Sequence, residues 1–322
     1  MKRLINKTIF PGLLFLLGVY CHSCLAEFQR NYRLPPTGTD LVGENLIVAT
    51  REEDTLIDVA SRKRLGYNLL RSANPTVDAW LPGEGTEVLL PLQTILPKEA
   101  RSGIVINTPE MRLYFYKTDK KNGPVVSIYS ISVGRGEWAT PITHTRITGR
   151  VKNPSWYPPE SIRAEHAARG DLLPRQVKPG PDNPLGEHLL MLDIPSYFIH
   201  GTNRRFGIGM QVTHGCIRMY PEDIATLFGE VSNNVPVLII NQPFKYGWSN
   251  QGLYLEVHPP LESAGQFPEI KRGEVIDALH AELKKRPETL INWQQVDKTL
   301  SEMKGLPEKV GFIPNSLEDF DG

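Results

Sequence analysis

The chain has 322 residues, 40% of them hydrophobic and 22% charged, a globular composition that excludes collagen-like, low-complexity and wholly disordered proteins. Lysine plus arginine and aspartate plus glutamate both number 36, so no basic excess speaks for a nucleic-acid partner. Three cysteines are too few for a disulfide scaffold in a chain long enough to bury its own cores.

Residues 1–26 open on Lys2, Arg3 and Lys7, continue through an apolar run and end at the small residue Ala26. That order of features reads as a secretory signal peptide. The run is broken by Pro11-Gly12 and falls short of the ~20 apolar residues a spanning helix needs, so no membrane span is expected after leader removal. Cleavage would also remove Cys21 and Cys24 and leave Cys216 as the sole thiol of an exported chain. An unpaired thiol in an oxidising compartment is an inert core residue, a site of intermolecular pairing or a reactive group.

Residues 27–43 are polar and contain Pro35-Pro36, which predicts a linker. From 44 to 93 the pattern predicts strand, helix, helix, strand. Leu46 to Ala49 is a short apolar strand, Asp54 caps a first helix with Leu56, Val59 and Ala60 on one face, and Tyr67 to Arg71 forms a second that stops at Asn74-Pro75. Residues 99–241 change to many short Val-, Ile-, Tyr- and Phe-rich runs between turn residues, a mainly β domain of sandwich or barrel-like form. One helix is expected there, over Glu222 to Phe228. The proline-rich stretch 153–183 reads as a long binding or lid loop. Residues 242–322 are expected to form one strand, Gly252 to Val257, and a helical tail marked by Val275, Leu279 and Leu283 and by Trp293, Val296, Leu300 and Met303, with Asn292 as a cap.

Chemistry concentrates between Phe198 and Met219. A thiol attacks only as thiolate, and a neighbouring imidazole can take its proton and return one to a leaving amine. His214 lies two residues before Cys216, and His200 ends an apolar strand upstream, so either ring is a candidate partner. Gly215 permits a sharp turn, after which the backbone amides of His214, Gly215 and Cys216 can face a developing oxyanion.

Two resemblances follow. Residues 44–93, with their acidic-Thr-Leu start, Asn74-Pro75 and closing Gly85-Thr86 strand, resemble the lysin motif, a peptidoglycan-binding module. His200-Gly201 followed by Thr213-His214-Gly215-Cys216-Ile217-Arg218 resembles the L,D-transpeptidase catalytic domain, and the likeness extends upstream to Ser132 to Pro141 and Val151 to Pro159. That resemblance implies Cys216 as nucleophile, His200 as proton donor and acceptor, Gly201 orienting His200 through its carbonyl, and an oxyanion hole of amides near His214, Gly215 and Cys216. It also implies substrate contact by Arg218 and Thr213 and no metal or other cofactor. The implied substrate is a peptidoglycan stem peptide in the periplasm, with an outer-membrane lipoprotein lysine or a diaminopimelate amine as acyl acceptor. The chain departs from the family where Thr140-Pro141-Ile142-Thr143 replaces the usual Thr-Pro-x-Gly.

Other readings use the same residues. A hydrolase would pass the acyl group to water, a wall-binding protein would leave Cys216 inert, and His200, His214 and Cys216 are chemically able to ligate zinc. Trp138, Trp156 and Tyr157 are candidate cleft walls, and Arg204 and Arg205 candidate carboxylate binders.

Overall fold

The computed structural model describes residues 30–99, 101–263 and 265–314. The predicted leader, with Cys21 and Cys24, lies outside them. Among the described residues no helix is long and apolar enough to cross a membrane.

The expected linker is built into the fold. β1 (Asn31–Arg33) adds to the edge of the long strand Gly123–Gly134, because Tyr32 and Leu34 find an apolar cluster there. β2 (Leu41–Val42) pairs with β5 (Thr94–Ile95). Between them lie β3 (Leu46–Ala49), α1 (Leu56–Lys63), α2 (Tyr67–Ala73) and β4 (Glu87–Leu90), with β3 and β4 antiparallel. Leu56, Val59, Leu70, Val88 and Leu90 close a small core. The cap of α1 is Thr55 and not Asp54: its hydroxyl accepts from the Asp58 amide in a capping box, while Asp54 is drawn 2.6 Å from Arg62. Asn74 ends α2 and also bonds both the N–H and the C=O of Leu89, so the Asn-Pro pair knits helix to strand.

The barrel follows: β6 (Gly103–Asn107), β7 (Arg112–Asp119), β8 (Gly123–Gly134), β9 (Thr143–Lys152), α3 (Glu160–Ala168), β10 (His188–Leu192), β11 (Phe198–His200), β12 (Gln211–Thr213), β13 (Ile217–Met219), α4 (Pro221–Glu230) and β14 (Pro236–Ile240). The order β8-β13-β11-β10-β9-β14-β6-β7 returns to β8, closing the ring, with β12 paired to β8 outside it. Closure removes the exposed edges that an open sheet of these strands would present. Ile104, Ile106, Ile131, Ile199, Ile217 and Ile239 fill the interior. Val105, Tyr114, Tyr116 and Val126 face outward onto Val42 and Leu96, which is why these strands read as continuous apolar runs.

α2 docks on the barrel through its free amides: Tyr67 and Asn68 donate to the carbonyls of Ile208 and Gly209. A Cβ on Gly209 would stand 2.1 Å from the Cα of Gly66, so this close approach admits only glycine. Arg64 and Arg30 reach Asp223 of α4 at 2.9 and 3.3 Å, and Tyr220 donates to the Leu65 carbonyl.

The C-terminal segment corrects the expectation of one strand and a tail. β15 (Phe244–Ser249), β16 (Gly252–Val257), α5 (Arg272–Lys285), β17 (Leu290–Ile291), α6 (Trp293–Glu302) and β18 (Glu308–Phe312) form a sheet in the order β15-β16-β18-β17 with both helices packed on it. β17 and β18 are too short to show a period of two, and their partners are distant in sequence. A buried ionic cluster, Glu110, Arg112, Lys245, Glu256 and His258, joins this unit to the barrel.

Candidate active site

β11 and β13 run parallel with Ile199 opposite Ile217 and His200 opposite Arg218. Ile199, Ile217 and Met219 point into the barrel core. Alternation then sends Phe198, His200, Cys216 and Arg218 to the other face, where all four line a cavity of about 640 Å³. Trp138, Trp156, Tyr157, Leu189 and Met191 give it mainly apolar walls. A second cavity of about 620 Å³, where α2, β12 and the 258–267 segment meet, contains no cysteine.

The turn before Cys216 is held on three sides. Thr213 Oγ1 donates to the Cys216 carbonyl at 2.6 Å, Thr140 Oγ1 donates to the Gly215 carbonyl at 2.8 Å, and the Arg135 amide donates to the Thr213 carbonyl. Gly215 has φ +98°, and a Cβ there would meet the Tyr197 ring at 2.7 Å. Thr140 thus anchors the turn itself, and the family departure falls just beyond it at Thr143. The Thr213 hydroxyl, expected to contact substrate, is committed to closing this turn.

Cys216 is a half-buried free thiol. Its sulfur lies 3.5 Å from the Ser196 carbonyl, which accepts the S–H. Burial pushes the thiol up to about 11, against the opposing pull of the Phe198 amide and the Arg218 charge. His200 Nδ1 is 2.7 Å from the Gly201 carbonyl. A carbonyl only accepts, so Nδ1 carries the hydrogen and Nε2 keeps its lone pair. Burial first, then the Arg218 charge, lower this imidazole to about 3. The resting site therefore holds a neutral thiol and a neutral imidazole.

His214 has a different setting. Its Nε2 is 2.7 Å from Glu165 Oε2 of α3, and the Trp138 ring meets it edge-on at 5.3 Å. The same nitrogen lies 3.3 Å from an Arg135 amine; the shorter carboxylate contact makes it the donor to Glu165. Hydrogen bonds from His214 and then Arg135 hold the Glu165 carboxyl down at about 2. Among the described residues, His214 Nε2 is thus taken by a carboxylate, whereas no side chain hydrogen-bonds His200 Nε2. Arg218 Nε is buried without a hydrogen-bond partner, and among the described residues no carboxylate lies within ion-pair distance of this guanidinium. Arg205 instead pairs with Glu222 at 2.6 Å beside Ser61, so it serves unit docking and not the cavity.

Two features escaped the sequence reading. The 153–183 stretch contains α3, and α3 supplies Glu165. Pro159 just ahead of an alanine-rich, glycine-free run was the available signal, masked by the surrounding prolines. The metal-type trio among the described residues is Glu110, Glu256 and His258, where Lys245 already lies 2.7 Å from Glu110.

Residues 101–239 match the family described as L,D-transpeptidase catalytic domain. YcfS of Escherichia coli K12, named "Probable L,D-transpeptidase", is 43% identical over 238 residues, covering 72% of this chain and 73% of that protein. The chain belongs to the L,D-transpeptidase family. Two further E. coli K12 proteins with the same designation, YbiS and ErfK/SrfK, are 40% and 39% identical over 80% and 77% of this chain and 83% and 79% of their own lengths.

For this L,D-transpeptidase the neutral resting pair has a measurable consequence. Alkylation by iodoacetamide, read on the Cys216 peptide by mass spectrometry, is expected to rise about tenfold per pH unit over roughly pH 6 to 10, because only thiolate reacts. A rate already level below about pH 8 would mean a thiolate–imidazolium pair instead.

Proposed function

We propose that this protein is a periplasmic L,D-transpeptidase that acts on peptidoglycan stem peptides through Cys216. The observation that supports this most is a thiol just ahead of β13 that lines the same cavity as an imidazole whose Nδ1 is tied to a carbonyl.

The Cys216 sulfur attacks the carbonyl of the third stem residue as its proton passes to His200 Nε2. The oxyanion is received by backbone amides of His214, Gly215 and Cys216, donors of a kind worth about 3–4 kcal/mol each. Collapse breaks the C–N bond, and His200 returns the proton to the departing D-Ala. An amine of a lipoprotein lysine or a neighbouring diaminopimelate then attacks the thioester: the C–S bond breaks, an amide forms, and the amine's proton returns to sulfur by way of His200. Gly201 orients the imidazole in both steps. Because the thiol starts protonated, proton transfer accompanies attack and does not precede it. Arg218, a cation at the cavity with no carboxylate in ion-pair distance among the described residues, receives a carboxylate of the stem peptide. Thr213 acts on substrate indirectly, by fixing the turn. The chemistry balances without a cofactor. The unit at 44–93 serves as a lysin motif that holds the glycan strand near the barrel, and residues 1–26 serve as the export signal.

Incubation with a tetrapeptide stem, with and without an added amine, tests this reading by mass. The expected result is a Cys216 adduct of the tripeptide-bearing donor, one D-Ala released per adduct, and an amide product that depends on the amine. Product formed only with water would make the protein a hydrolase, and no adduct at all would make it a wall-binding protein.

A further inference from the structure

α3 covers one side of the cavity, contributing Ser161 and Ile162 to its lining, yet it fully buries none of its own side chains. A nine-residue helix with so little buried surface does not hold its place by packing or by intrinsic helicity. Among the described residues, the hydrogen bonds and ion pairs that tie it to the barrel all belong to Glu165. One carboxylate oxygen takes the His214 Nε2–H at 2.7 Å and the other pairs with Arg135. Arg169, just past the helix, adds a contact 3.0 Å away from within the same loop. Both barrel partners are anchored to the nucleophile turn, His214 by sequence and Arg135 by its amide on the Thr213 carbonyl. Trp138 closes the group from the side of the cavity.

We infer that Glu165 is a positioning residue that latches α3 over the cavity and so decides whether the thioester meets an amine or water. This rests on the acyl-transfer reading of Cys216. Water and an amine compete for the same carbonyl: in either case the C–S bond breaks and the proton of the nucleophile returns to sulfur. Water is far more abundant, so a transferase must keep it from the thioester, and a mainly apolar cavity closed by a helix does this. The latch is a charge-assisted contact at the cavity mouth, a short step from Cys216, so closure of the lid and geometry of the nucleophile turn are set by the same atoms. Glu165 acts through His214 and Arg135 and does not touch the reacting atoms.

The test compares the unsubstituted enzyme with Glu165→Ala and Glu165→Gln, using tetrapeptide donor and a fixed amine concentration. The readout is the ratio of hydrolysed to aminolysed product, which is independent of how fast the thioester forms. Loss of a charge-assisted hydrogen bond predicts a ratio raised about tenfold or more in Glu165→Ala. Glu165→Gln keeps an acceptor for His214 but drops the charge facing Arg135, so an intermediate ratio is expected. Faster amide hydrogen exchange over residues 160–168 should accompany both changes. An adduct in all three forms with an unchanged ratio overturns the role of Glu165 alone, even if thermal stability falls. No Cys216 adduct in the unsubstituted enzyme overturns the acyl-transfer reading, and this role with it.

Discussion

Cys216→Ala is expected to abolish release of D-Ala from a tetrapeptide stem and to form no adduct, while the protein unfolds at an unchanged temperature. The sulfur sits in a cavity wall, where it meets the Ser196 carbonyl at 3.5 Å and the Phe198 amide, so removing it opens no core void. The turn that carries it is held by Thr213, Thr140 and Gly215, none of which depends on the thiol. His200→Ala is expected to lower turnover roughly 10²–10⁴-fold, the usual share of general acid–base catalysis. Its neutral resting state sharpens this: with the thiol pushed up to about 11, attack without a proton acceptor at Nε2 leaves the sulfur protonated. D-Ala release measured by chromatography, beside a circular-dichroism melt, checks both variants. Turnover retained by Cys216→Ala would refute the nucleophile assignment.

Lys245→Met is expected to destabilise the whole chain by about 3–5 kcal/mol, the cost of leaving a buried charge without its partner. Lys245 Nζ lies 2.7 Å from Glu110 Oε2 and 3.3 Å from Glu256 Oε1, with both carboxylates fully buried. It also donates to the Ile95 carbonyl at 2.6 Å. Removing it leaves Arg112 as the remaining permanent cation beside two carboxylates that cannot reach water. The cluster draws Thr94 from β5, Glu110 and Arg112 from the barrel, and Lys245 and Glu256 from the C-terminal sheet, so the loss is felt by three parts of the fold together. Burial raises the Glu256 carboxyl, but Lys245, His258 and Arg112 outweigh it and hold the group at about 2. The unfolded chain therefore binds this proton more tightly, and the stabilisation is present above the ordinary carboxylate range and lost as pH falls through about 2. Urea melts at neutral pH and at successively lower pH measure both effects. A cost below about 1 kcal/mol for Lys245→Met would show that the cluster does not bind the units together.

Much of this architecture was legible from residue order alone. The apolar runs from Ile104 to Ile240 each became a strand, since β-branched and aromatic residues between turn formers have few other ways to bury themselves. Helical spacing at Val275 and Leu279, and at Trp293 and Val296, marked α5 and α6. His200 and Cys216 could be proposed because His200-Gly201 and Thr213-His214-Gly215-Cys216 resemble a known catalytic domain.

The arrangement of these parts required the tertiary structure. No local signal predicts that β7 returns to β8 and closes a barrel, or that β11 and β13 lie parallel and so put His200, Cys216 and Arg218 on one face. Sequence spacing left His200 and His214 equal as partners for the thiol. In the structure the two rings have different settings: the nearby carbonyl of Gly201 meets Nδ1 of one, and the carboxylate of Glu165, distant in sequence, meets Nε2 of the other. The strands around Cys216 are three residues each, too short to show a period, and the charges of the buried cluster come from segments far apart in sequence. Side-chain patterning reports what each segment must bury. Pairing between segments is settled by closure and by compensation of buried charge, which are properties of the assembled chain.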